Sequence, residues 1–560
     1  MKEGFSMNSN FCNSPQYDEA TPVLIVGGSL IGLSMSLLLS RQGIDTLLVE
    51  RHPGTSIHPR VASLTARTME IFRTVGAESA IRRVEPAFSL GSNVPLAESL
   101  VEEPIDNLME DFSAYFTDAS PVKGSLIAQD VLESVLPALA AEAGGKLRYE
   151  TELVDFKQDV DGVSATIQDI VSGTKRRVRA QYLIAADGSR SRIRKKLGIG
   201  HHGADGLGHN ISILFGATGL MEEFRNREAV MCFLANDTVA GALTAYPGSI
   251  VRPDVFRLDV PYDPDEEAVD DFTKDRCLPL IQAAIGIPNF PVQVKTILPW
   301  EMVARISDRF QQGRVFLVGD AARAQPPTGA LGGNTGIAEA QNLAWKLAAV
   351  LRGEAKQKLL DTYDMERRPL ADFTVEQVTQ LSQQRFNEGS EGITVDTLAI
   401  NMGFRYNVGA IVQENDENLP LVQRPEFWTG QPGTRAPHVA LQHQDEKISI
   451  LDLFGSCFVL LVGPEGQNWL NAAKCMSDEL RLLLDVYWIG THAGDLIDQE
   501  NAFCDAYGVT RTGAVLVRPD GFVGWRSRGS NGDVQECEGE LSQALSKLLF
   551  HSEHKIKGGR

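Results

Sequence analysis

The stretch Gly319–Ala348, GDAARAQPPTGALGGNTGIAEAQNLAWKLA, follows the apolar run RVFLV (Arg314–Val318). The chain leaves a strand through Gly-Asp, stiffens at Pro326-Pro327, where each ring fixes φ, and passes four glycines before it can wind up. The spacing of Ile337, Ala340, Leu343, Ala344, Leu347, Val350 and Leu351 then predicts a strongly apolar helix. The first N–H groups of such a helix lack intrahelical partners and carry partial positive charge. Glycine-rich turns let backbone approach a ligand closely. A ligand that develops negative charge belongs at this place.

Two further stretches share the logic of a strand running into a glycine turn. TPVLIV (Thr21–Val26) reads as a buried strand, followed by GGSLIG and a helix, LSMSLLLSRQG, that ends at Gly43. IDTLLVE is a second strand, closing a βαβ unit at Glu50. Gly27 and Gly32 fit the first and third glycines of the dinucleotide fingerprint G-x-G-x-x-G, and Ser29 takes the place of the second. The helix N-terminus offers free N–H groups to phosphate, and Glu50 can accept from ribose hydroxyls. In the other stretch, YLIAADGSRSRIR, a strand ends at Asp187-Gly188. Taken alone, that pair reads as an ordinary turn.

Around these motifs the chain divides. With 560 residues it exceeds one domain, and 43% hydrophobic residues supply large cores. We expect a loose tail over residues 1–20 and a discontinuous α/β domain over 21–200 and 294–372. Residues 201–293 carry short strand candidates (ISILFGATG, AVMCFLAN, GALTAYP, DVFRLDVPY) and read as an inserted, mostly antiparallel sheet. Helices are expected over Thr65–Arg83 and Ser125–Gly145. A helical segment and a Pro/Gly-rich linker fill 373–430. A small strand-rich α/β domain follows over 431–550.

The formal net charge of −20 disfavours nucleic acid and anionic membrane surfaces as partners. The basic clusters KRRVR (Lys175–Arg179) and RSRIRKK (Arg190–Lys196) read as solvated faces. Seven scattered cysteines without C-x-x-C point to free thiols in a reducing compartment. No secretory h-region or apolar span of membrane length is visible, so a cytoplasmic location is expected. The ten histidines include no H-x-x-x-H or H-E-x-x-H, and no metal is expected.

Together the three motifs resemble the glycine fingerprint, the DG motif and the GD motif of the class A, single-component FAD-dependent monooxygenases. HPGTSIHPRVASLTARTMEIFR (His52–Arg73) is similar to the HPR…RTME segment of the branch that hydroxylates aromatic polyketides and phenols. LDTYDMERRPLA (Leu360–Ala371) resembles that family's Y-x-x-E-R-x-P tail, and the C-terminal part resembles the thioredoxin-like domain of the phenol hydroxylases. The implied fold is a Rossmann-like FAD domain with an inserted β-sheet substrate domain and a thioredoxin-like C-terminal domain.

The implied activity is hydroxylation of a phenolic or polyketide-like aromatic. NAD(P)H reduces FAD, O₂ forms a flavin C4a-hydroperoxide, and one oxygen atom reaches the ring. Baeyer–Villiger insertion or oxidative ring rearrangement is the alternative outcome. A flavin-containing binding protein without turnover is the alternative of a different class. A homodimer is compatible with the sequence.

By the resemblance, Gly27, Gly28, Ser29, Ile31 and Gly32 surround the ADP pyrophosphate, and Glu50 with Arg51 the ribose. Arg60 lies near the flavin, and Gln129 near the ribityl and phosphate. Asp187, Gly188 and Arg190 form the dual FAD and nicotinamide motif. Asp320 bonds the ribityl chain. Pro327 lies against the isoalloxazine, and Gly332, Gly333 and Asn334 present N–H groups to its N1–C2=O edge. Arg323 and Ala330 depart from the family's usual histidine and glycine. No catalytic acid or base is assigned. Tyr246, His201, His202, His209 and Trp300 fall in the substrate region, with packing or surface roles as the simpler reading of each.

Overall fold

The computed structural model describes residues 16–54, 63–85, 94–107, 114–246, 254–386, 396–414, 419–480, 482–530 and 532–551. Strand β1 (Glu19–Val26) leads through Gly27, Gly28 and Ser29 into helix α1 (Leu30–Arg41). Helix α1 is buried almost without break from Leu30 to Ser40, which is why its sequence shows small and apolar residues on every side. Strand β2 (Thr46–Val49) returns parallel to β1, with Val23 opposite Thr46 and Val26 opposite Val49. Helix α2 (Ala66–Thr74) is capped by Thr65, whose hydroxyl accepts from the Thr68 N–H. Helix α3 (Gln129–Glu142) packs on α1. Strand β3 (Lys175–Ala185) pairs in parallel with the other side of β1.

Two helices differ from expectation. Thr65–Arg83 forms not one helix but two, Ala66–Thr74 and Glu78–Val84. Gly76 takes φ of 70° between them, a left-handed conformation that ends a helix. The helix expected from Ser125 begins only at Gln129, because Ser125 is bridged to Leu64 in extended form.

Strands β4 (His201–Gly216), β5 (Val255–Tyr262) and β6 (Gln293–Ser307) form the centre of a second, eight-stranded sheet. Both β5 and β6 run antiparallel to β4. The boundary expected between residues 293 and 294 is therefore displaced. β6 pairs with β4 from Gln293/Gly216 to Ser307/His201 and belongs to the inserted sheet. Pro95–Ala97 and Asp106–Asn107, from a part of the chain assigned to the first domain, close the far edge. Side chains alternate across the sheet. One face, with Ile211, Ile213, Phe215, Phe256 and Leu258, packs on Cys277, Ile281 and Ile285 of the helix Lys274–Ile285. The other face mixes polar Ser212, Arg257 and Asp259 with apolar Leu214 and Leu298.

The first sheet resumes at β7 (Val315–Leu317), parallel to β3 with Leu317 opposite Ala185. Helices α4 (Leu331–Leu351) and α5 (Thr362–Phe386) follow. The C-terminal region holds a seven-stranded sheet. Its inner strand Phe458–Val462 runs parallel to Leu484–Gly490 and antiparallel to Ala514–Val517. Helices Gln467–Leu480 and Val534–Leu548 pack together.

This domain is not an appendage on a linker. Trp345 and Ala349 of α4 share one hydrophobic core with Phe458, Leu460 and Trp469, and the Trp345 and Phe458 rings meet edge-on at 5.7 Å. Beside that core, Glu366 of α5 accepts from Lys346 Nζ at 2.7 Å and from Arg518 Nη2 at 3.0 Å, all three side chains fully buried. The cysteines among the described residues are free thiols.

Candidate active site

The three glycine turns open at the C-terminal ends of β1, β3 and β7, which lie side by side in the parallel sheet. That is where open α/β sheets bind ligands. Their contact is closer than strand spacing requires. Gly27 has φ of 110°, and a Cβ on it would stand 2.2 Å from the Ala186 carbonyl oxygen. A Cβ on Gly32 would stand 1.8 Å from the Gly27 oxygen. Ile31 is wedged between Gly319 and Gly336, where added Cβ atoms would come within 2.9 and 2.7 Å of its side chain. The first motif is thus locked into the third.

At the end of β2, Glu50 accepts from the Gly28 N–H at 2.6 Å and the His52 N–H at 2.8 Å, one bond to each carboxylate oxygen. Each oxygen keeps acceptor capacity for a ribose hydroxyl. Arg51 beside it is exposed. At the start of α1, the Ser29 hydroxyl donates to Glu133 at 2.7 Å, and the Leu30 N–H donates to the same oxygen at 2.9 Å. Gln129 Nε2 donates to both Ser29 Oγ and Glu133, at 2.8 and 2.6 Å. Ser29 therefore replaces the second glycine with a side chain that is engaged by α3. Sequence reading missed Glu133. The available signal was a carboxylate one helical turn after Gln129, on the same face of the helix.

In the DG turn, Asp187 Oδ2 accepts from the Ile193 N–H at 3.2 Å, while Oδ1 is buried without a protein partner. Burial raises the Asp187 pKa. An orphaned buried acceptor is costly, and it fits a hydroxyl or amide donor on a bound nucleotide. Gly188 turns the chain with φ of 81°. Arg190 is exposed, and the ordering cation of this loop is Arg194. It donates to the Ser189 carbonyl at 3.1 Å and the Ala321 carbonyl at 3.0 Å, tying the DG turn to the GD turn. The two basic clusters are accordingly not wholly solvated. Arg194 is buried, and Arg179 is buried against Asp159 at 2.7 Å.

Beyond Gly319, which has φ of 59°, Asp320 is half-buried, Pro326 is buried and Pro327 is exposed. Arg323 is buried and ion-paired to Glu339 of α4 at 2.7 Å. It also donates to Gln325 at 2.6 Å and to the Gly332 carbonyl at 3.2 Å. Glu339, likewise missed in the sequence, accepts the Gly319 N–H at 2.8 Å. Ala330 takes the left-handed φ of 54° that the family's glycine would adopt freely. A Cβ on Gly332 would meet nothing within 4 Å, so this backbone borders open space. The Asn334 side chain accepts from the Thr65 N–H at 3.0 Å and the Thr68 hydroxyl at 2.6 Å, and donates to the Ala330 carbonyl at 2.9 Å. Its amide holds α2 on α4 and leaves the helix N–H groups for a ligand. These donors and the orphaned Asp187 oxygen fit an FAD. Arg60 lies outside the described residues.

A cluster of polar side chains gathers on the second sheet. Asp259 accepts from the Ser212 hydroxyl, from Arg257 Nε at 2.7 Å and from Trp300 Nε1 at 3.2 Å. Tyr246 is buried, with the Arg257 guanidinium 5.6 Å from its ring centre. Burial raises its phenol pKa, and Asp259 of the sheet and Asp130 of α3 act in the same direction. The sheet joins the GD turn directly, through pairing of Arg305 with Ala324 and Ile306 with Arg323. Of the aromatic and histidine residues singled out in the sequence, Tyr246 and Trp300 enter this cluster. His201 and His202 are exposed, with His202 bracketed by Asp308 at 3.2 Å and Asp372 at 2.9 Å. His209 packs edge-on against Tyr262. Among the described residues no three acidic, histidine or cysteine side chains gather as a metal site, and no helix is long and apolar enough to cross a membrane.

Residues 20–378 match the FAD binding domain family, and residues 429–550 match the C-terminal domain of aromatic-ring hydroxylases. The chain is 39% identical to a 4-methyl-5-nitrocatechol 5-monooxygenase of a Burkholderia species, over 95% of this chain and 98% of that protein. It is 38% identical to an aklavinone 12-hydroxylase of Streptomyces purpurascens, over 95% and 100% of the two chains. A solved ternary complex of aklavinone-11 hydroxylase with FAD and aklavinone superposes with a TM-score of 0.86 at 36% identity, covering 95% and 99% of the two chains.

Proposed function

The chain belongs to the family of FAD-binding aromatic-ring hydroxylases, and from that premise we propose that it hydroxylates a phenolic, polyketide-like aromatic compound. It is an FAD-dependent monooxygenase that draws electrons from NAD(P)H and oxygen from O₂. When bound and reduced, FAD activates O₂ and supplies one oxygen atom to an electron-rich ring carbon.

The chain's own residues bind, orient and shield. Gly27, Gly28, Ser29 and Gly32 would take the pyrophosphate, Glu50 and Arg51 the adenosine ribose, and Gln129 the neighbouring phosphate side. Asp187, Gly188 and Arg190 would border both the FAD and the incoming nicotinamide, and Asp320 would hold the ribityl chain. Pro327, Gly332, Gly333 and Asn334 would border the ring. The N–H groups at the start of α4 would stabilise negative charge on a reduced flavin.

On the opposite wall, burial keeps the Tyr246 phenol protonated, so it serves as a donor to a substrate oxygen. The Arg257 cation favours a substrate phenolate. Asp259 is committed to three protein donors and works as a positioning residue for Arg257 and Trp300. The single observation that carries this reading is the wedging of Ile31 between Gly319 and Gly336. It brings the first and third glycine motifs together at the ends of neighbouring parallel strands, where a nucleotide would lie.

The test is turnover with NADPH or NADH under ¹⁸O₂ and a panel of polycyclic and monocyclic phenols, read by mass spectrometry. One label on a ring carbon is the expected product. A label in an ester would assign the oxygen-insertion chemistry instead. Bound flavin whose reduction no phenol accelerates would sink the hydroxylase reading.

A further inference from the structure

A small cleft, with room for about one water-sized particle, opens between α2, α4, α5 and the segment around Ile400–Phe404, bordered by Arg67, Asn334, Thr335, Arg367, Asn401 and Phe404. Two guanidiniums border it, and both are buried, with Arg67 6% and Arg367 2% exposed. Each leaves its Nε–H without an acceptor in the protein, an uncommon state for a buried donor.

The charges around the cleft do not balance either. Glu70 lies between Arg67 Nη1 at 3.0 Å and Arg435 Nε at 2.9 Å, one carboxylate serving two cations. Among the described residues no carboxylate lies within ion-pair distance of Arg367. Its terminal nitrogens donate only to neutral groups, the Tyr406 hydroxyl at 3.2 Å and, at a long 3.5 Å, the Thr335 carbonyl. A buried cation without a counter-charge is strongly unfavourable. A water molecule would satisfy the donors but leave the charge.

We propose that this cleft binds a small monovalent anion of halide size between the Arg67 and Arg367 guanidiniums. The anion neutralises the excess charge and fastens α2 and α5 to α4. The site is distinct from the substrate wall on the second sheet and does not depend on the substrate assigned above.

The test compares thermal unfolding of the full-length protein in sodium chloride, sodium bromide and sodium gluconate at equal ionic strength. Gluconate is too large to enter. Chloride and bromide are expected to raise the midpoint saturably above gluconate, and Arg367→Gln is expected to abolish the difference. Crystals soaked in bromide are expected to show an anomalous peak within hydrogen-bonding distance of both Nε atoms. That measurement needs no variant and decides the matter if Arg367→Gln fails to fold. Equal midpoints in the three salts, or no bromide between the two arginines, would overturn the proposal.

Discussion

Arg323 and Glu339 form an ion pair at 2.7 Å with side chains 1% and 0% exposed, inside the turn that carries Gly319 and Asp320. The pair does not stand alone. Glu339 also takes the Gly319 N–H, and Arg323 also reaches Gln325 and the Gly332 carbonyl. A loop that leaves β7 and returns at the start of α4 is thereby held at both ends by one pair of side chains. The departure at Arg323 from the family's usual histidine acts on the backbone that borders the ring site.

Removing one member of a fully buried pair costs about 3–5 kcal/mol, because the other is left charged without a partner. Arg323→Leu is expected to lower stability by about that amount and to lose flavin on gel filtration. The double variant Arg323→Leu/Glu339→Leu is expected to recover part of the stability but not the flavin, since Gly319 loses its acceptor. Urea unfolding and the 450 nm absorbance of the desalted protein read the two effects separately. Full flavin retention in the single variant would show that the loop is held by other means.

Gly28 tests the nucleotide assignment. A Cβ there would stand 2.6 Å from Glu50 Cβ, so Gly28→Ala must push β2 and its carboxylate away. Glu50→Gln keeps the shape and removes the charge that the Gly28 N–H and the ribose would share. Charge-assisted hydrogen bonds contribute about 1.5–3 kcal/mol each, so FAD affinity should fall by about 10–100-fold in Glu50→Gln and further in Gly28→Ala. Titration of the apoprotein with FAD by fluorescence quenching gives both constants. Unchanged affinity in Glu50→Gln would remove Glu50 from the site.

The same residues show what was legible in the sequence. Gly27, Asp187 and Gly319 could be picked out because each follows an apolar strand at once, and a strand ending in a glycine turn is a local pattern. Glu133, Arg194 and Glu339 could not, because the groups that need them lie on other elements. The sequence shows only a charge on an apolar helix or in a basic run. The extent of the inserted sheet is hidden for a related reason: the register of β6 with β4 is a pairing between distant segments and leaves no local mark. The C-terminal domain read as separate, since nothing near Trp345 announces that this side chain enters a second core.

Glu366 fastens that second core, and its charge sets a pH signature. Burial alone would raise its pKa, but Arg518 and Lys346 reverse the effect and hold it below the ordinary 4.5. A carboxylate lowered in the folded state contributes stability above its unfolded value, and loses it as pH falls through the folded one. Glu366→Gln should therefore be less stable than the wild type by about 3–5 kcal/mol at pH 7. The gap should narrow as pH drops below 4.5, where the wild-type side chain takes up its proton in the unfolded chain. Urea midpoints of both proteins between pH 7 and 3.5 give the curve. A gap that stays constant through that range would mean Glu366 does not carry the charge assigned to it.

Asp259 separates positioning from chemistry on the substrate wall. It accepts from Ser212, Arg257 and Trp300 and so holds the last two in place. Asp259→Asn keeps the size and loses the charge, so Arg257 is left buried beside Tyr246 without its counter-ion. The substrate phenol then meets a shifted cation and a less well placed donor. Flavin reduction should survive, because the nucleotide turns are untouched, while oxygen transfer to the ring becomes inefficient. The expected signature is NAD(P)H oxidation that persists while product falls and hydrogen peroxide rises in compensation. Tyr246→Phe should show the same uncoupling with a smaller loss of stability, since it strands no charge. Peroxide and product measured together in single-turnover runs across pH 6–9 check this. A residue that acted as the proton acceptor would instead give a pH-dependent fall in the oxygen-transfer rate, and Asp259→Asn showing that pattern with coupling intact would reassign Asp259 as a base.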